Sequence, residues 1–321
     1  MHNHLKYIFA FLICSLILNG CKFDEIKSVS TTGDLSIVVD ENVEPLMKDE
    51  IREFERLNSE AKIRMKVAPN KVAKADLING ETNLIVVTRN FDGQERAVIE
   101  KNKLEIKEYP IAIDAIGFIV NNKNPVARIT SDDLKNIFTG VYKNWSDIKS
   151  QDEEQNKEVA KFFKGINNKI RLFIQRKNSS TYDYVLDSIL KKTEYATDAA
   201  VCSTSVQMLN LVRENESAIG IINMNWLSKG NQDTIDTSVK SLRISKIFDN
   251  GRQDDFREFH QGLIYNGTYP YRRTVYVITT DTGIKLSTGF ITFIVKTDGQ
   301  KIVLKNSLVP VTQPVRTIDI N

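Results

Sequence analysis

Cysteine and histidine are scarce in this chain: three of each in 321 residues. Cys14 and Cys21 fall in the amino-terminal segment, so Cys202 stands alone in the body. No disulfide can form within that body, which must be held by its core. Cys202 itself reads as a small buried apolar side chain rather than a nucleophile. His2 and His4 also lie at the amino terminus, leaving His260 between Phe259 and Gln261. No Gly-x-Ser-x-Gly turn accompanies it, and no Cys/His spacing suits zinc. A Gly-rich phosphate loop of the nucleotide-binding kind is missing as well. We therefore expect no enzyme activity, no metal and no cofactor. Charge imbalance is slight, at a net +3, which is too mild to argue for nucleic acid. No apolar run approaches the roughly 20 residues of a membrane span.

One shorter run is present. Lys6 precedes the apolar stretch Ile8 to Leu18, which closes on Asn19-Gly20-Cys21. A charged start, a greasy middle and small residues at the end form a secretory signal. Leu18-Asn19-Gly20-Cys21 resembles the lipobox of bacterial lipoproteins, although Asn19 is an unusual occupant. The resemblance implies that residues 1–20 are a signal peptide and that Cys21 is the lipidated mature terminus. Residues 21–34, with Ser28, Ser30, Thr31 and Thr32, then read as a flexible tether. Such a protein is a soluble body held to a membrane by its lipid anchor, in the cell envelope and facing the periplasm or exterior.

The remaining chain is long enough for two lobes and has an ordinary globular composition, 41% hydrophobic and 26% charged. Leu35 to Val39 reads as a strand, Pro45 to Leu57 as an amphipathic helix, and Lys62 to Val67 as a strand. A short helix ends near Leu77-Ile78, and Leu84 to Val87 is a buried strand. This alternation predicts a parallel sheet covered by helices. Ile111 to Val120 is a long apolar strand interrupted by Asp114, suited to passing between lobes. Ser131 is expected to cap a helix whose inner face is Leu134, Ile137 and Phe138. Ser150 to Lys164 reads as a solvated helix or insertion. Ile170 to Ile174, Thr181 to Leu190, Ser203 to Val212 and Ala218 to Ile222 repeat the α/β pattern. The last strand and helix, Val275 to Thr279 and Leu286 to Ile294, can return to the first lobe.

Three loops at strand ends are candidate binding segments. Arg176-Lys177-Asn178-Ser179-Ser180-Thr181 links a strand to a helix start, where unpaired N–H groups and the helix dipole favour an anion. Arg176 can add full charge in bidentate geometry. Ordinary capping by Ser179 or Ser180 is the competing explanation. Thr88-Arg89-Asn90 follows a strand end where parallel sheets place ligand loops. Arg89 there is either an anion clamp or a solvated rim charge. In Asp40-Glu41-Asn42-Val43, Asn42 either caps the following helix or offers its amide to a ligand.

Asp114 to Asn121 with Asn124-Pro125, Leu134 to Gly140, and Asn144-Trp145-Ser146-Asp147 follow one another in a recognisable order. That order resembles the periplasmic phosphate-binding proteins of ABC transporters. Asn178 to Thr181 stands where the family has a Ser-Gly-Thr phosphate loop. Ala218 to Ile221, Tyr269-Pro270, Arg272-Arg273, Gly289-Phe290, Gly299 to Lys301 and Val309-Pro310 complete the series. The resemblance implies two α/β lobes joined by two hinge segments, the type II periplasmic-binding-protein fold. Residues 35–114 with 275–321 form lobe 1, and residues 115–274 form lobe 2. It also implies an extracytoplasmic lipoprotein that captures phosphate, or a related oxyanion, for an ABC transporter permease. Expected ligand contacts are Asn42, Val43, Arg89, Arg176, Ser179, Ser180 and Thr181. Departures accompany the match. Ser180 replaces the central glycine, Pro69-Asn70-Lys71 replaces a Gly-Ser-Gly-type loop, and Arg89 stands where the family's proton-accepting aspartate is expected. Phosphate and sulfate are then no longer separated by that carboxylate, unless Asp40 or Glu41 takes over. The alternative role is a surface lipoprotein that uses a degenerate version of the fold as an adhesin or interaction module.

Overall fold

The computed structural model describes residues 29–150, 152–165, 167–230 and 235–312. The signal segment, Cys21, most of the tether and the last nine residues of the expected first lobe lie outside the described residues.

β1 (Gly33–Asp40) and β2 (Ala61–Ala68) run parallel, setting Leu35 against Ile63 and Val39 against Val67. Alternation leaves Lys62, Arg64 and Lys66 of this edge strand in solvent and turns Ala61 and Ile63 inward. β3 (Leu84–Val87) lies on the other side of β1, again parallel, and is buried throughout. The Glu44–Leu57 helix crosses between β1 and β2, burying Leu46, Met47, Ile51 and Phe54. Pro45 occupies its first turn, where a missing N–H costs nothing.

β4 (Lys107–Asn121) is the spine of the molecule. Fifteen extended residues span about 50 Å, long enough to serve two halves of a sheet. β5 (Arg128–Thr130), β6 (Arg171–Gln175), β7 (Ala200–Cys202), β8 (Ala218–Asn223), β9 (Val239–Ser241), β10 (Arg243–Ser245), β11 (Arg272–Thr279) and β12 (Val309–Pro310) follow. Among the described residues, ten strands form one curled sheet. Its order is β2-β1-β3-β11-β4-β8-β6-β7, with β9 and β12 also pairing β4. β5 and β10 form a separate parallel pair. β11 runs antiparallel to both β3 and β4, and β8 antiparallel to the later part of β4. β4 thus pairs β11 along its first part and β8 along its later part, and β11 joins β3 to β4.

Where β4 enters the second half, Phe118 meets Phe138 and Tyr271 edge-on, with ring centroids 5.5 and 5.9 Å apart. Trp145 stacks on Phe163 and donates its indole N–H to the Ser217 carbonyl at 3.0 Å. Cys202 is buried and unpaired, and burial pushes its thiol up to about 11, so it is an inert apolar filler as expected.

Two local expectations change. The Ser131–Phe138 helix is capped by Thr130, whose hydroxyl accepts the Asp133 N–H at 3.1 Å. Ser131 instead accepts the Ile247 N–H at 2.9 Å, because the excursion around β10 packs over this helix start. The charge-rich stretch contains the Glu153–Phe162 helix, and it is docked rather than fully solvated. Buried Gln155 accepts the N–H groups of Ala127 and Arg128 at 3.0 Å each and returns its amide to the Arg128 carbonyl.

Phe118→Ala removes a wholly buried ring where the two halves meet, so we expect a loss of about 3–5 kcal/mol in unfolding free energy. Urea titration checks this, and a loss under about 1 kcal/mol would place the core elsewhere.

Candidate functional site

The carboxyl ends of β1 and β3 face the start of the Ser180–Ser188 helix across the junction of the halves. Five side chains meet there, each at most 2% exposed: Asp40, Asn42, Thr88, Ser180 and Thr181. Asp40 ends β1, and its carboxylate accepts the backbone N–H of Asn42, which shapes the tight Glu41–Val43 turn. That turn aims the Asn42 amide at the helix start. Its Nδ2 donates to Ser180 Oγ at 2.8 Å, and its Oδ1 accepts from Thr181 Oγ1 at 3.1 Å. Thr88, one residue past β3, donates to Asp40 Oδ2 at 2.5 Å. Ser180 donates to the same oxygen at 2.8 Å and touches Thr88 Oγ1 at 2.5 Å.

A cation completes the cluster. Arg273 on β11 sits directly opposite Asp114 on β4 in the strand register. Its Nε donates to Asp114 Oδ2 at 2.9 Å, and its Nη1 reaches Ser180 Oγ and Thr181 Oγ1 at 3.2 and 3.3 Å. Nη2 forms an ion pair with Asp114 but has no hydrogen-bond partner, although it is buried. Complete burial pushes the Asp114 carboxyl above its usual range, and the guanidinium opposes that push. The arrangement gathers N–H and O–H donors around one buried guanidinium and one carboxylate acceptor. Such a set suits an oxyanion that carries a proton.

The expected residues divide clearly. Asn42, Ser180 and Thr181 come together. Ser179 caps the helix through its Oγ, which accepts the Tyr182 N–H at 3.1 Å, so for this residue the capping explanation applies. Val43 packs into the core and has only backbone groups to offer. Arg176 is half-buried, and among the described residues its side chain makes no bond to the cluster. Arg89 points to the rim, where it pairs with Asp187 at 2.7 Å rather than with Thr181. It does line a cleft of about 350 Å³ beside the cluster, together with Thr88, Tyr184, Asp187, Arg272 and Arg273. Lys71, from the segment that replaces the glycine-rich loop, reaches Asp183 at 3.1 Å one helical turn from Asp187. His260 caps the short Gln261–Tyr265 helix by accepting the Gly262 N–H, a structural task.

Arg273 and Asp114 were missed as site residues. The usable signal was a lone carboxylate inside the apolar run Ile111 to Val120, because a buried carboxylate requires a cation. Glu41, named beside Asp40 as a possible acceptor for the guest's proton, is engaged elsewhere. Its carboxylate crosses between the halves to accept the Ser205 N–H at 2.6 Å and the Ser205 hydroxyl at 3.2 Å. The same residue's carbonyl accepts the Trp226 indole N–H at 3.2 Å.

Fold and site together define a protein of the two-lobed ligand-enclosing type. The profile of the PBP superfamily domain matches residues 27–298, and the chain belongs to that family. The phosphate-binding protein PstS of Pseudomonas aeruginosa is 24% identical over 302 residues, covering 90% of this chain and 86% of the relative. PstS of Staphylococcus epidermidis is 23% identical over 262 residues, covering 80% and 73%. Among solved structures, a putative phosphate ABC transporter substrate-binding protein with bound phosphate from Clostridium perfringens superposes with a TM-score of 0.70. It is 24% identical and covers 87% of this chain and 100% of its own. An ABC-type phosphate transport receptor from Vibrio cholerae gives a TM-score of 0.61 at 18% identity, with coverages of 87% and 100%. These structural likenesses establish the type II binding-protein fold. Among the described residues no helix is long and apolar enough to cross a membrane.

Burial pushes the Glu41 carboxyl from 4.5 up to about 7; the Ser205 N–H opposes this and the nearby Asp40 charge adds to it. A carboxyl raised in the folded state contributes stability that is complete below pH 4.5 and is lost as pH rises through about 7. Glu41→Gln keeps the contact and removes the titration. Wild type should lose up to about 3 kcal/mol relative to this variant across that window, measured by chemical denaturation at several pH values. A difference independent of pH would contradict the assignment.

Proposed function

We propose that this protein captures phosphate, or a closely similar oxyanion, outside the cytoplasm and delivers it to an ABC transporter permease. The observation that carries this reading is the buried Arg273 guanidinium, which Asp114 holds by an ion pair and which reaches the Ser180 and Thr181 hydroxyls through Nη1. A guanidinium that can turn hydrogen bonds from these neutral hydroxyls to an anionic guest favours that guest, since charge-assisted hydrogen bonds contribute about 1.5–3 kcal/mol each. Relatives that bear the name phosphate-binding protein support the same ligand class.

In this reading Arg273, Asn42, Thr88 and Thr181 donate to the anion, together with the N–H groups at the start of the Ser180–Ser188 helix. Asp114 is a positioning residue that holds the guanidinium in register. Asp40 accepts a hydrogen bond from the guest's protonated oxygen. Monohydrogen phosphate has one to give at neutral pH and sulfate has none, so Asp40 restores a preference that Arg89 cannot supply. Arg89 and Arg272 line the mouth of the adjoining cleft and draw anions inward. Capture is non-covalent and proceeds by closure of residues 35–114 with 275–321 on residues 115–274. Cys21, lipidated, would tether the protein to the membrane beside its permease.

Isothermal calorimetry of the soluble body with phosphate, arsenate and sulfate tests this. We expect phosphate binding with sulfate weaker by at least about tenfold, and Arg273→Lys to cost about ten- to a hundredfold in affinity. Arg89→Ala should change affinity by less than about threefold at moderate salt, since rim ion pairs contribute little. Absence of heat from all three anions, or equal binding by Arg273→Lys, would overturn the assignment.

A further inference from the structure

The Ser180 hydroxyl occupies the centre of the cluster. It accepts from Asn42 Nδ2 at 2.8 Å and from Arg273 Nη1 at 3.2 Å, and it donates to Asp40 Oδ2 at 2.8 Å. Thr88 Oγ1 lies at 2.5 Å on a further side. Two N–H donations received and one O–H given to a carboxylate are the contacts that one protonated oxygen of an oxyanion makes. We infer that the Ser180 hydroxyl is an internal surrogate for that oxygen. It competes with the guest for the same four partners and sets the affinity of the site.

Proton counting supports competition. Asp40 Oδ2, Thr88 Oγ1 and Ser180 Oγ make three mutual contacts of 2.5–2.8 Å. The two hydroxyls bring only two protons to these three contacts. One of the three is then an oxygen pair without a hydrogen between. Moving Ser180 aside relieves that pair, and an incoming anion presents several oxygens to the released Asn42, Arg273 and Thr88 donors. Location adds a second consequence. Asp40, Asn42 and Thr88 follow β1 and β3, whereas Ser180 opens a helix of the other half. The surrogate therefore staples the two halves together at the place where a guest would.

This inference rests on the oxyanion reading above, and one set of measurements separates the two. Ser180→Ala removes only Oγ, and Ser180→Cys keeps a similar bulk with weak hydrogen bonding, should the alanine variant fold poorly. Calorimetry with phosphate on wild type and both variants should show tighter binding without the hydroxyl, by about fivefold or more, the equivalent of one ordinary hydrogen bond. Small-angle scattering in phosphate-free buffer should show a larger radius of gyration for Ser180→Ala than for wild type, with the difference vanishing on phosphate addition. If wild type binds phosphate and the variants bind equally or more weakly, Ser180 is an ordinary ligand contact and the surrogate is refuted while the oxyanion function stands. Equal radii before phosphate addition refute the staple. If neither wild type nor any variant responds to phosphate, arsenate or sulfate, the oxyanion reading fails and the surrogate falls with it.

Discussion

The ion pair between Asp114 and Arg273 is the constraint on which the site depends. Each strand contributes one charge at the same register position, and neither charge is stable in the sheet alone. Removing one partner of such a buried pair leaves an uncompensated charge and costs about 3–5 kcal/mol. The pair also lies on the two strands that connect the halves. One interaction thus fixes how β4 and β11 pass the junction and aims a guanidinium at the helix start opposite. Replacing both residues with apolar ones would satisfy the sheet but leave the hydroxyl and amide cluster without its cation.

Around this pair the halves meet through contacts of different strength. Arg89–Asp187 and Lys71–Asp183 attach two cations of the first half to carboxylates one turn apart on the Ser180–Ser188 helix. These pairs are partly exposed, so water and salt reduce each to a fraction of a kcal/mol. They orient closure more than they stabilise it. Glu41 with Ser205, and the Trp226 indole with the Glu41 carbonyl, are more buried and give closure a polar seam on the opposite side. The halves thus meet through hydrogen bonds of their own, and in the proposed function a guest competes with them as well as with water.

Much of the architecture was readable from local pattern. Short apolar runs located β1 and β3, alternation located β2, and a helical period located the stripe of Leu46, Met47, Ile51 and Phe54, because burial on one face imposes a period. The helix start after β6 was likewise visible as a run of hydroxyl and amide residues, and two of them, Ser180 and Thr181, do enter the cluster. Arg89 shows the limit of such reading. Its position just past a strand end suggested a clamp, yet the chain bends after Val87, and there Thr88 turns inward to Asp40 while Arg89 turns to Asp187. Ser131 shows the same limit for caps: Thr130 and Ser131 are chemically alike, and only the packing of the β10 excursion chooses between them.

The sequence by itself determined the alternation of strands and helices, the single cysteine of the body, and the polar loops available at strand ends. Periodicity and composition act over short distances, so they can be read in one dimension. Only the tertiary structure decided that Arg273, 159 residues from Asp114, supplies the charge, and that the Ser180 hydroxyl fills the centre of the cluster. Those facts depend on the pairing register of two strands and on the approach of two halves, and no local spacing encodes either.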